Sequence, residues 1–223
     1  FMIYSKIIAP LLRRKRWWTN RIIYLFKTAT VKEGHDYLLG KPKEQILIQQ
    51  NLIENSKYLV KLISKIKLDK TQSIFELGPG MCRNLNHLYD LNYDNLSGIE
   101  INPESVRLMK EKYPSLKVDI ITGSYDDELK KIPSNSFDLT FGMNALMYVN
   151  PKNHFIFKEV ARITRKYLIT IEREDHYKPP YCFPINYNQI FTNLGFKEIF
   201  YEIPLTKHFR GKYVARIFQK IDS

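Results

Sequence analysis

The chain has 223 residues, 44% of them apolar and 26% charged, which suits a soluble protein with one sizeable α/β core or at most two small domains. Its two cysteines, Cys82 and Cys182, offer neither a disulfide framework nor a zinc-ligand spacing. No apolar run has the length of a membrane span and no cleavable leader pattern is visible, so a cytoplasmic setting is expected.

The net charge of +12 is uneven: residues 1 to 43 hold ten Lys/Arg against two Asp/Glu, which places +8 there. Pro10 and the run Arg13-Arg14-Lys15-Arg16 divide the first thirty residues into two short helical pieces. Trp17 and Trp18 point about 100° apart on a helix, so one is expected inside and the other beside the cations. Such an arm suits an anionic partner. Closing the mouth of a metabolite pocket is the preferred role for it. Nucleic acid or an anionic membrane surface, met through residues 13–27 with the protein held peripherally, stays open.

"HDYLLGKP" reads as a loop, and Lys43 to about Ile66 as one long amphipathic helix on Ile46, Ile53, Leu59 and Ile63. The pattern then changes to short apolar runs, predicting strands at 73–77, 96–100, 117–121, 137–142, 166–172, 197–203 and 212–219. Helices fit at about 82–90, 103–113, 152–164 and 187–194, with Asn102 and Pro103 as the cap and first turn of the second. The alternation implies an α/β doubly wound sheet, mostly parallel, whose last two strands form an antiparallel hairpin at one edge. Residues 1–66 are expected as a basic helical extension and 67–223 as the main domain.

The first strand runs into Gly78-Pro79-Gly80, a turn that lets backbone approach a ligand and aims helix N–H groups at it. A dinucleotide fingerprint would need a third glycine where Arg83 stands. It would also bring a pyrophosphate against Glu76, two residues before the loop, at a cost of about a kcal/mol or more. A ligand bearing positive charge would instead welcome that acid.

Glu76-Leu77-Gly78-Pro79-Gly80 resembles the first motif of the class I S-adenosylmethionine-dependent methyltransferases, E/D-x-G-x-G. The resemblance covers about residues 70 to 220. It implies a seven-stranded Rossmann-like sheet in the order 3-2-1-4-5-7-6. It implies S-adenosylmethionine as cofactor, S-adenosylhomocysteine as product and no metal. It gives Glu100, at the end of the second strand, the ribose hydroxyls, and Ile101 the adenine face. Ser124 and Tyr125 occupy the adenine-amino position after the third strand, and Met143 and Asn144 should line the methionine end. Where many small-molecule members carry a histidine after strand four, this chain has Tyr148, which leaves a histidine base there in doubt and makes Tyr148 itself a candidate for hydrogen-bonding the acceptor.

On the acceptor side, the proline-rich stretch after the fifth strand suggests a semi-rigid lid, with Glu172, His176 and Tyr181 as contacts and Tyr37 and Gln45 as weaker ones. The chain has no N/D-P-P-Y/F tetrad, no clustered acids with magnesium-site spacing and no cysteine pair for C5 chemistry. The expected reaction is methylation of an O or N atom of a small-molecule or sugar-type acceptor. An RNA-modifying or membrane-surface enzyme, or a non-catalytic binder, is the alternative. Oligomeric state is not legible.

Overall fold

The computed structural model describes residues 29–175, 181–209 and 211–221. Seven strands form one sheet in the order β3-β2-β1-β4-β5-β7-β6. They are β1 (Ile74–Leu77), β2 (Leu96–Glu100), β3 (Asp119–Thr122), β4 (Phe137–Met143), β5 (Thr164–Arg173), β6 (Phe196–Glu202) and β7 (Tyr213–Lys220). β3, β2, β1, β4 and β5 pair in parallel, while β7 is antiparallel to both β5 and β6. The order expected from the family resemblance, including the edge hairpin, is the order found.

The interior strand β1 is covered on both faces, with Ile74, Phe75 and Leu77 all fully buried, as a parallel interior strand requires. On one face lie α3 (Ile53–Lys65), α4 (Arg83–Tyr89) and α5 (Pro103–Lys112), joined through Leu59, Leu62, Leu85 and Met109 to Phe141 and Ile169. On the other lie α7 (Phe155–Ile163) and α8 (Tyr187–Thr192), where Phe157 and Phe191 pack with Phe75 and Phe218. The apolar stripe of α3 thus belongs to the same core as the sheet.

Two local expectations are corrected. His35 to Leu39 are helical, not loop: they end α1 (Val31–Leu39), and only Gly40, Lys41 and Pro42 connect to α2 (Lys43–Ile48). The helix starts at a capping box, in which the Thr30 hydroxyl accepts from Glu33 N and the Glu33 carboxylate accepts from Thr30 N. Thr30-x-x-Glu33 is a local signal for that start, upstream of the stretch read as loop. The long helix at 43–66 is broken by a 3₁₀ turn at Gln49–Asn51. Ile46 is the one buried residue of α2, whereas α3 buries a different stripe, so a straight helix could not seat both. The break frees the Gln49 carbonyl, which accepts from Arg83 Nη1 at 2.5 Å. A short α6 (Tyr125–Glu128), absent from the sequence reading, follows β3. Among the described residues no helix is long and apolar enough to cross a membrane. The basic arm at 13–27 with its tryptophans, and His176, lie outside the described residues.

Candidate active site

A cleft opens over the carboxyl ends of β1, β2 and β4, the place where open α/β sheets bind ligands. Gly78 and Gly80 form its floor with φ of 66° and 57°, a left-handed conformation that favours glycine. A Cβ on Gly78 would come within 3.0 Å of the Tyr125 hydroxyl and 3.1 Å of Ala145 Cβ, so the turn is tight as well as left-handed. Cys82, at φ 57°, continues the turn into α4.

Two acids flank the loop. Glu100 Oε2 accepts from Gly80 N at 2.8 Å and Oε1 from Asn102 N at 2.8 Å, locking the end of β2 to the glycine turn. Burial raises the Glu100 pKa, while those N–H groups and the more distant Lys41 ammonium pull it down. Glu76 lies beneath the loop, 2% exposed; Oε1 accepts from Asn84 Nδ2 at 2.7 Å and Oε2 has no partner among the described residues. Burial pushes the Glu76 carboxyl up to about 7, against the Asn84 amide and nearby Arg83.

Arg83 is a functional candidate that sequence reasoning passed over, noted there only as the residue spoiling a dinucleotide fingerprint. Its guanidinium lines the cleft and donates to Ser56 Oγ at 3.0 Å, to the Gln49 carbonyl and to Asn84 Oδ1 at 3.1 Å. Ser56 in turn donates to Asn84 Oδ1 at 2.8 Å. One network therefore ties α3, the 3₁₀ break, the glycine loop and Glu76 together.

The roof is α1. The Asn102 side chain donates to the Leu38 carbonyl at 3.0 Å, and the Asn150 side chain donates to the Ala29 carbonyl at 2.7 Å, pinning both ends of the segment over the strand ends. His35 faces Asp126 at 3.5 Å, and Asp126 accepts from Asn153 Nδ2 at 2.7 Å. Asp126 lines the cleft one residue beyond the pair expected at the adenine position. Of that pair, Tyr125 lines the cleft, while the Ser124 hydroxyl caps α6 and donates to Asp127 at 2.9 Å.

Gly78, Gly80, Glu100, Ile101, Tyr125, Met143, Asn144 and Tyr148 are brought together around this one space. Asn144, with φ 58°, has its amide oxygen fixed by the Tyr213 hydroxyl at 2.8 Å. Glu172 is placed differently from an acceptor contact: it is fully buried, and its carboxylate accepts from Ala145, Leu146 and Met147 N–H at 2.9 to 3.3 Å. It holds the turn that carries Asn144 and Tyr148. Burial pushes its carboxyl up to about 7, the three N–H groups opposing. Tyr181 stacks on Tyr37 with centroids 4.4 Å apart, and Tyr37 lies 6.3 Å from Tyr148, so three of the acceptor candidates form one aromatic cluster. Gln45 is exposed and does not reach the cleft. His208 lines the rim, its pKa lowered by partial burial and by Arg83.

Residues 75–168 match the family described as methyltransferase domain. An S-adenosylmethionine-dependent methyltransferase from Methanosarcina mazei superposes with a TM-score of 0.61 at 18% identity, over 72% of this chain and 98% of that one. One from Aquifex aeolicus gives 0.56 at 18% identity, over 73% and 88%. The [4+2]-cyclase SpnF gives 0.59 at 15% identity, over 74% and 81%, which shows that the fold alone does not fix the reaction. No match to a curated protein sequence reaches significance. The matched stretch makes residues 75–168 a methyltransferase domain, and the strand order and the solved neighbours agree with that fold. The family implies S-adenosylmethionine as cofactor and methyl transfer as the reaction.

Proposed function

We propose that this enzyme methylates an O or N atom of a small-molecule or sugar-type acceptor. The observation that carries the reading is enclosure: α1 and the α1–α2 connection roof the strand ends, and Tyr148, backed by Tyr37 and Tyr181, walls one side. A polymer chain would need an open groove there.

The residues present fit the implied cofactor. The unpartnered, buried Glu76 oxygen suits an amino group, Arg83 suits the matching carboxylate, and Glu100 suits a ribose diol beside the glycine turn. When bound, the cofactor supplies an activated methyl carbon on a sulfonium. The chain's task is then alignment and exclusion of water. Asn144 and Tyr148, set by Glu172 and Tyr213, position the acceptor atom. Burial raises the Tyr148 phenol well above its ordinary value, so at neutral pH it donates a hydrogen bond rather than taking a proton. His208, kept neutral near pH 7 at the rim, can accept the proton that a hydroxyl acceptor releases.

Calorimetry with S-adenosylhomocysteine and with NAD tests the cofactor side: binding of the first alone is expected. Glu100→Ala should weaken it by about 1–3 kcal/mol. Tight NAD binding without a response to adenosylhomocysteine would overturn the assignment of Glu76 and Glu100. A labelled-cofactor screen of metabolite, sugar, RNA and lipid acceptors tests the acceptor side, and turnover on RNA or lipid alone would overturn the small-molecule reading.

A further inference from the structure

Lys41 serves neither the cofactor contacts nor the acceptor positioning assigned to this cleft. It sits in the three-residue connection between α1 and α2, and its side chain lines the cleft. The ammonium lies 5.1 Å from the centroid of the Tyr148 ring and 5.8 Å from that of Tyr37. It makes no hydrogen bond or ion pair with any described residue. Half-buried in this way, it has three N–H donors and only two aromatic faces to satisfy them.

The nearest acid does not resolve this. Glu100 acts on Lys41 only through space, and both of its oxygens are held by Gly80 and Asn102 N–H. Burial lowers the Lys41 pKa, outweighing the attraction of Glu100 and Cys182, so the charge is carried at a cost that an anion beside it would remove. The other titratable groups of the cleft leave Lys41 without an acid of its own: Arg83, at the cleft wall, faces the cofactor carboxylate, and His208, at the rim, is neutral near pH 7. Glu172 is turned away beneath the Asn144 turn.

We infer that the acceptor carries a carboxylate or phosphate group, which Lys41 binds against the Tyr148 ring so that the acceptor atom faces Asn144. The inference rests on the methyltransferase reading of this cleft and specifies its substrate class. A cationic acceptor would meet like charge on this side, whereas a neutral one would leave Lys41 uncompensated.

The test uses four shape-related probes on the full chain saturated with S-adenosylhomocysteine: benzoate, phenyl phosphate, benzamide and benzylammonium. At least one anion should bind tenfold or more tightly than benzamide, with benzylammonium weakest, and the preference should shrink as salt rises. The tighter anion tells carboxylate from phosphate. Lys41→Met should erase the discrimination and Lys41→Arg should keep it. Equal binding of all four probes, a preference for benzylammonium, binding by neither anion, or discrimination surviving in Lys41→Met would each overturn the inference. Because the wild-type comparison needs no variant, a misfolded Lys41→Met leaves the test intact. Absence of adenosylhomocysteine binding would instead sink the cofactor reading beneath it.

Discussion

At the amino end of β4, Asp138 is 3% exposed and fully answered. It accepts from Ser73 N and Oγ at 3.2 and 3.1 Å, from Arg165 at 3.0 and 2.5 Å, and pairs with Lys166 at 3.1 Å. At the carboxyl ends of β1, β2 and β5, Glu76, Glu100 and Glu172 are 2%, 7% and 0% exposed, yet none has an ion pair among the described residues. The consequences are opposite. Burial pushes against the charge of Asp138, but Arg165, Lys166 and Ser73 outweigh it and hold the carboxyl well below its usual range. Burial wins at Glu76 and Glu172, which rise to about 7. One end of the sheet uses buried charge to hold strands together. The other keeps it available for a ligand or for backbone N–H groups.

If that division is right, variants at the two ends separate stability from binding. The largest effect belongs to Asp138→Ala, which removes the acceptor of Ser73 N and Oγ and the partner of two half-exposed cations, and should cost about 3 kcal/mol in denaturant unfolding. Adenosylhomocysteine affinity at temperatures where the variant is folded should stay within about twofold. A large affinity loss would break the comparison. Glu172→Ala comes next, leaving three backbone N–H groups without acceptors at a cost of about 1–3 kcal/mol. Here turnover should fall further than stability alone accounts for, because the turn bearing Asn144 and Tyr148 loses its support. Turnover unchanged in the folded fraction would reduce Glu172 to packing.

Glu76 gives a smaller effect with a definite sign. Its folded pKa is raised, so the free fold is penalised as pH climbs from about 4.3, the unfolded value, through about 7. A ligand amino group would favour the ionised form, so binding near pH 6 should release part of a proton. Calorimetry in buffers of different ionisation heat reads this directly, and Glu76→Gln should remove it. Proton uptake instead of release would contradict the assignment. Asp138 runs the other way: its stabilisation is present above about 3.9 and is lost as pH falls through its depressed folded value. The smallest change is Arg165→Ala. That side chain is 48% exposed and Lys166 remains, so about 1 kcal/mol or less is expected by chemical unfolding.

Several parts of the site were legible because they are short-range. The Glu76-to-Gly80 turn needs only adjacent residues with the right φ and charge, and Glu100 follows at the next strand end by the regular spacing of a β-α-β unit. The Thr30–Glu33 capping box is equally local, and it starts the helix that Gly40 and Pro42 end. Arg83 was visible as a residue but not as a hub, since its partners Ser56 and Gln49 lie 27 and 34 positions away.

The sequence by itself determined the strand–helix alternation and the acid-led glycine loop, and through its family resemblance the sheet order, because hydrophobic period and turn chemistry act within a few residues. Only the tertiary structure decided which groups each remaining side chain meets. It turned Glu172 beneath a turn 25 to 27 residues away, broke the helix at Gln49 so that its carbonyl meets Arg83, and brought Lys41 to Tyr148 across more than a hundred residues. A carboxylate or an ammonium finds its partner by burial and geometry, and those are set by which faces the sheet brings together.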